Sequence, residues 1–172
     1  MKRRGCPKFK AQLDMAASRV LAIATVHKQP HLTGSMEEVE IDAFLSRLCE
    51  SLKHTAPAQI DAINVTFDAV KLCSDMASGI GLLVAELVTN SFKYAYPAGE
   101  HGAMSTHFTQ TSTGWRLKVS DKGRGLPQGF DIDQSKCFGM QVGKAFVRRL
   151  NADVTFSSRP GHTASEINGV QS

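Results

Sequence analysis

Residues 81–97 read GLLVAELVTNSFKYAYP, and the placement of their polar side chains decides how the rest of the chain is read. Apolar residues recur at helical spacing from about Ala77 to Tyr94, and Pro97 and Gly99 stop the pattern. At about 100° per residue, Glu86, Asn90 and Lys93 fall within roughly 60° of one another on one side of that helix. Val84, Val88 and Ala95 gather opposite them, on the side expected to face a core. A carboxylate, a carboxamide and an ammonium thus follow one line on an otherwise apolar helix. Such a face can offer oxygen to a divalent cation, keep a carboxylate near its water shell and reach phosphate oxygens through Lys93. A solvated outer face would carry the same three residues, and the helix alone does not separate the two readings.

Outward from it, the pattern alternates in type. Upstream, residues 8–28 have helical spacing in Leu13, Ala16, Val20, Leu21 and Ala24, and Gln29-Pro30 and Gly34-Ser35 break it. A second helix is expected over Ile41–Leu52, a strand over Ile63–Phe67, and a short partner strand near Val70–Cys73. Downstream, strands over Ala103–Gln110 and Trp115–Ser120 flank Thr113-Gly114. A Gly-, Pro- and Asp-rich loop covers Asp121–Lys136, a helix Gly139–Leu150, and strands lie near Val154–Ser157 and Ala164–Ile167. That order predicts an α+β fold, a two-layer α/β sandwich with helices on one face of a mixed sheet, preceded by an N-terminal helix. Three segments are expected: a basic arm over residues 1–7, a helical segment over 8–55, and the sandwich over 56–172.

Composition narrows the class. At 172 residues, with 42% hydrophobic and 21% charged side chains, the chain suits one soluble globular domain. No apolar run approaches the roughly 20 residues of a membrane helix, and no apolar region follows the basic start, so a cytoplasmic protein without a cleaved leader is expected. The net charge of +4 resides in the first ten residues, where Lys2, Arg3, Arg4, Lys8 and Lys10 stand without an acidic neighbour. The remainder is nearly neutral, which argues against a nucleic-acid partner. Cys6, Cys49, Cys73 and Cys137 lie far apart, without metal-binding spacing, and read as reduced thiols.

Three further stretches carry candidate chemistry. In Val119-Ser120-Asp121-Lys122-Gly123-Arg124-Gly125-Leu126-Pro127 an apolar strand ends at a carboxylate and enters glycine-spaced backbone. That carboxylate can accept a purine amino group, and the two glycines let backbone approach a flat ligand; a surface turn has the same composition. Phe138-Gly139-Met140-Gln141 opens a helix whose N-terminal amides suit phosphate, and in Pro160-Gly161-His162-Thr163 a hydroxyl can support a ligand.

In order and spacing these stretches resemble the ATPase domain shared by histidine kinases, type II topoisomerases, heat-shock chaperones and mismatch-repair ATPases, the Bergerat ATP-binding fold. Glu86 through Tyr94 resembles its N-box, Asp121 through Gly125 its DxGxG box, Phe138–Gln141 the glycine segment after the lid, and Gly161–Thr163 its terminal Gly-Thr motif. GLLVAELVTNSFKYAYP followed by VSDKGRGLP is especially similar to the HWE-type and related histidine kinases, and SRVLAIATVH (residues 18–27) resembles the second helix of their dimerisation hairpin. The resemblance covers roughly residues 10–168. It implies ATP and Mg²⁺ as cofactors, with Asn90 as metal ligand and Glu86 as the catalytic residue that orders metal-bound water or assists proton transfer. It implies Lys93 against phosphate, Tyr94 lining the nucleotide, Asp121 accepting from the adenine amine, Gly123 and Gly125 shaping the pocket, Gly139 by the phosphates and Thr163 at the adenine end. It also implies a homodimer through the N-terminal helices, and a response regulator or phosphoacceptor domain as partner.

The match departs from the family in three places. The phosphoacceptor motif, a His-Arg-x-x-Asn-like segment on the first hairpin helix, is missing, and the chain is expected to begin just before the second hairpin helix. His27 matches another position and is followed by Lys28 rather than an acidic base, while His31, His54, His101, His107 and His162 read as surface or loop residues. Cys137-Phe138-Gly139 stands where many relatives have Gly-x-Gly, and Lys122 where an acidic or amide residue is common. Two other functions share these motifs: a non-catalytic kinase-like adaptor that docks response regulators, and an anti-sigma-type serine kinase. The intact set Glu86, Asn90, Lys93, Asp121, Gly123 and Gly125 argues against the first, and SRVLAIATVH against the second.

Overall fold

The computed structural model describes residues 38–126 and 145–170. The basic arm, the helix expected over 8–28 with its apolar stripe, His27, His31, the loop beyond Leu126 and Gly139 lie outside the described residues.

Helix α1 (Ile41–Lys53) follows from its own spacing: Ile41, Phe44, Leu45, Leu48, Cys49 and Leu52 recur every three or four residues, and all six are buried. Asp42 in the first turn and Lys53 in the last oppose the helix dipole favourably. Before it, β1 (Glu38–Glu40) pairs antiparallel with β3 (Lys71–Cys73); the expected short strand therefore exists, and its partner is a strand that the sequence did not announce.

Helix α2 (Ser74–Tyr94) begins three residues before the expected start and is 21 residues long. Every residue from Gly79 to Thr89 is buried, because α1 covers one side, the sheet another, and Gly79 is met by Phe146, from the helix that includes residues 145–149, and by Leu150 in the turn after it. A Cβ at Gly81 would lie 2.6 Å from the Phe44 ring, so the missing side chain is what lets α1 and α2 approach.

The main sheet consists of β2 (Ile60–Phe67), β4 (Gly102–Thr111), β5 (Gly114–Asp121), β6 (Ala152–Arg159) and β7 (His162–Val170), in spatial order β2-β4-β5-β7-β6. The β2–β4 pair is parallel and the other three are antiparallel, so the sheet is mixed as expected. All five strands exceed their expected bounds by one to three residues at one or both ends, since ladder pairing continues past the apolar residues that mark a strand in sequence. His107, expected on the surface or in a loop, is a half-buried residue of β4.

Period-two alternation sorts the sheet into rows. Phe108, Leu117 and Ile167 are register partners facing the helices, and all are buried to within 1%. Each side chain of this size stabilises by about 1.5–3 kcal/mol on burial. Ser105, His107, Arg116, Lys118 and Ser120 alternate with the buried set and are half-buried or exposed. Among the described residues the core is one cluster, and α1, grouped by sequence with the helical segment before it, contributes its whole apolar face to that cluster.

Candidate functional site

β5 ends at Asp121 and α2 ends one turn beyond Asn90, and the two ends meet. Ser91 Oγ donates to Asp121 Oδ2 at 2.9 Å, and the backbone N–H of Gly123 donates to Asp121 Oδ1 at 3.0 Å. Asp121 is 6% exposed. Its register partners are Met104 on β4 and Thr163 on β7, so all three face the helix layer. Thr163, expected to support the adenine end, therefore stands beside Asp121 and is half-buried.

The chain after Asp121 is seated on the end of α2. The N–H of Arg124 donates to the Ala95 carbonyl at 2.9 Å. The N–H of Lys122 donates to the Tyr96 hydroxyl at 3.1 Å, while that hydroxyl donates to the Ala103 carbonyl at 2.7 Å. Burial raises the Tyr96 pKa above its ordinary value; the bond from Lys122 opposes this, and the negative charges of Asp121 and Asp61 add to it. The hydroxyl thus stays protonated and can keep donating to Ala103.

Both glycines of DKGRG lie close against the chain's own atoms. A Cβ at Gly123 would lie 2.2 Å from the Ala95 carbonyl oxygen. Gly125 has φ +87° and lies against Ser158 and Arg159, where Ser158 Oγ accepts the N–H of Leu126 at 2.7 Å. Sequence reasoning assigned both glycines to ligand approach. The obstacles around them are the chain's own atoms.

On α2 the three polar residues do follow one line, but their surroundings differ. Glu86 is 4% exposed, so the expected carboxylate near its water shell is instead enclosed by protein. Asn90 is half-buried, Lys93 is exposed, and Tyr94 is 52% exposed. The plain solvated-face reading therefore fails for Glu86 and holds only for the last turn. Sequence reasoning missed Ser91 and Tyr96, although both lie within the quoted stretch. Neither belongs to a spacing rule, and only the fold shows what their hydroxyls reach.

The donor set suits a nucleotide. Each Asp121 oxygen accepts one bond and retains capacity for another, so an amino group can be taken without displacing Ser91 or Gly123. Among the described residues no group of three or more His, Cys, Asp or Glu side chains could hold a metal by itself. No helix among the described residues is long and apolar enough to cross a membrane.

Comparisons with known proteins agree with this geometry. Residues 49–165 match the family described as histidine kinase-like ATPase domain, and residues 2–56 match one described as histidine kinase. Blue-light-activated histidine kinase 2 of Erythrobacter litoralis is 25% identical over 163 residues, covering 92% of this chain and 46% of that protein. The sensor histidine kinase PdtaS of Mycobacterium tuberculosis is 30% identical over 131 residues, covering 75% of this chain and 26% of its own length. The chain thus spans less than half the length of these relatives. The histidine kinase domain of the Erythrobacter litoralis blue-light-activated kinase EL346 shares the fold, with a TM-score of 0.83 at 23% identity over 91% of this chain and 74% of that one. By the match over residues 49–165, and with its N-box helix and DxGxG strand meeting at one site, the chain belongs to the histidine kinase-like ATPase domain family.

Proposed function

We propose that this chain is the ATP-binding catalytic domain of a two-component sensor histidine kinase, transferring the γ-phosphoryl group of Mg-ATP to a histidine that this chain does not display in the expected motif. The observation that carries the reading is the junction of α2 with the end of β5, where a buried carboxylate is held as an acceptor by Ser91 and Gly123.

Phosphoryl transfer asks for alignment and charge neutralisation more than for covalent help from protein. Asp121 accepts from the base, with Thr163 beside it at the same end of the sheet. Asn90, one turn before Tyr94, presents a carboxamide oxygen for the metal, and Lys93 an ammonium for phosphate. Glu86, enclosed on the same helix line, orders water or holds a proton near that metal ligand. When bound, Mg²⁺ neutralises the triphosphate and fixes its orientation. The lid side of the site, including Gly139, completes the phosphate contacts in this reading. A dimer through the N-terminal helices, a response regulator or phosphoacceptor domain as partner, and a cytoplasmic location follow from the same proposal.

The test is titration with a non-hydrolysable ATP analogue, with and without Mg²⁺, on the wild type and Asn90→Ala. Magnesium-dependent binding that falls at least about tenfold in the variant is expected, as for loss of a bond to a charged group. Absence of binding to the wild type would replace the kinase with the adaptor reading.

A further inference from the structure

Hydroxyls inside a helix ordinarily bond to the carbonyl three or four residues back. Thr89 does so, donating to the Ala85 carbonyl at 2.7 Å with the Glu86 carbonyl at 3.1 Å. Ser91, two residues later on the same helix, directs its proton across to Asp121 Oδ2 at 2.9 Å, a residue 30 positions away in sequence. The carboxylate torsion of an aspartate is broad when nothing restrains it. Here the Gly123 N–H holds Oδ1 at 3.0 Å and Ser91 holds Oδ2, so the plane of the carboxylate is fixed from both sides. Both partners are donors, and the group they hold can only accept a further bond.

We infer that Ser91 is a positioning residue: by fixing the plane of the Asp121 carboxylate it sets the preference for a nucleobase that presents an exocyclic amine over one that presents a carbonyl at the same place. The inference rests on the ATP-binding reading proposed above. Gly123 cannot perform this task alone, because one bond leaves the carboxylate free to swing about that contact. Nor does any of the contacts that seat the following loop, Arg124 to Ala95 and Lys122 to Tyr96, touch the carboxylate oxygens.

ATP and inosine triphosphate separate recognition of the base from everything else, since they share ribose and phosphates and differ in an amine against a carbonyl. The full chain is titrated with each nucleotide and Mg²⁺, as wild type, Ser91→Ala and Ser91→Thr, and the unfolding midpoint is measured for all three. The wild type is expected to prefer ATP. Ser91→Ala is expected to weaken ATP binding about tenfold with a much smaller loss for inosine triphosphate, so that the ratio of the two affinities collapses. Ser91→Thr, which keeps the hydroxyl, is expected to restore the ratio. A general structural role would instead weaken both nucleotides equally and lower the unfolding midpoint, and that result overturns the inference, as does an unchanged ratio in Ser91→Ala. Failure of the wild type to bind either nucleotide is a different result: it removes the nucleotide reading of the site, and this inference with it.

Discussion

The helix-facing side of the sheet has two ends built from the same strands and doing different work. At one end Phe108, Leu117 and Ile167 lie in register, and the Phe108 and Trp115 rings stack with centroids 6.0 Å apart at 21°. At the other end the same three strands contribute Met104, Asp121 and Thr163. Thr106, Val119 and Ser165 form the row between, all three buried. Along β5 the residues Trp115, Leu117, Val119 and Asp121 share one face by strict alternation. The periodicity that buries the indole therefore also turns the carboxylate toward the helix layer. Five residues of strand separate the buried indole from the carboxylate proposed to read the base, and stability and binding should be separable along that distance.

The largest expected effect breaks the apolar end. Phe108→Ala removes a ring that is 1% exposed, and should lower unfolding free energy by about 3–5 kcal/mol while nucleotide affinity at temperatures below the transition changes little. Urea unfolding with a parallel binding titration checks both halves; equal damage to affinity would show that the two ends are coupled.

Gly123→Ala attacks the junction itself. The added methyl would press on the Ala95 carbonyl and push the loop after Asp121 away from α2, at a cost of about 1–3 kcal/mol. Because Gly123 also donates to Asp121, affinity should fall in step with stability, unlike Phe108→Ala. Retained affinity in a folded variant would contradict the proposed dependence of recognition on that docking.

The smallest effect sharpens the comparison from the side of α1. Burial pushes the Cys49 thiol up from its ordinary 9.0 to about 12, against a lowering by Lys53. A folded-state pKa raised above the unfolded one contributes stability that is complete below pH 9 and is lost as pH rises toward about 12. Wild-type stability should thus decline more steeply between pH about 8 and about 10.5 than that of Cys49→Ala. Nucleotide selectivity should not follow the difference. Urea midpoints at the two pH values measure it, and identical slopes would refute the assignment.

Much of this was legible in the chain. The long helix, the two flanking hairpin strands and the mixed sheet follow from apolar spacing, and the Asp121 and Asn90 motifs follow from residue order. What the helix pattern left open was whether its polar residues face water. Glu86 does not, because α2 is covered on more than one side, and the number of neighbours around a helix is not written in its own sequence. The glycines were open in the same way: their types fit close ligand approach and a turn equally well, and only the position of the Ala95 carbonyl shows that Gly123 also makes room for the end of α2.

Local rules determined the elements here because helix and strand periods act over a few residues, and side-chain alternation then orients each face without reference to anything distant. Contacts between residues far apart in sequence were decided by the tertiary structure alone. Ser91 to Asp121, Lys122 to Tyr96 and Leu126 to Ser158 each depend on where two chain segments end relative to one another. A hydroxyl can bond to its own helix or across a junction at similar cost, so its choice is settled by packing, and in this protein that choice holds the group proposed to read the base.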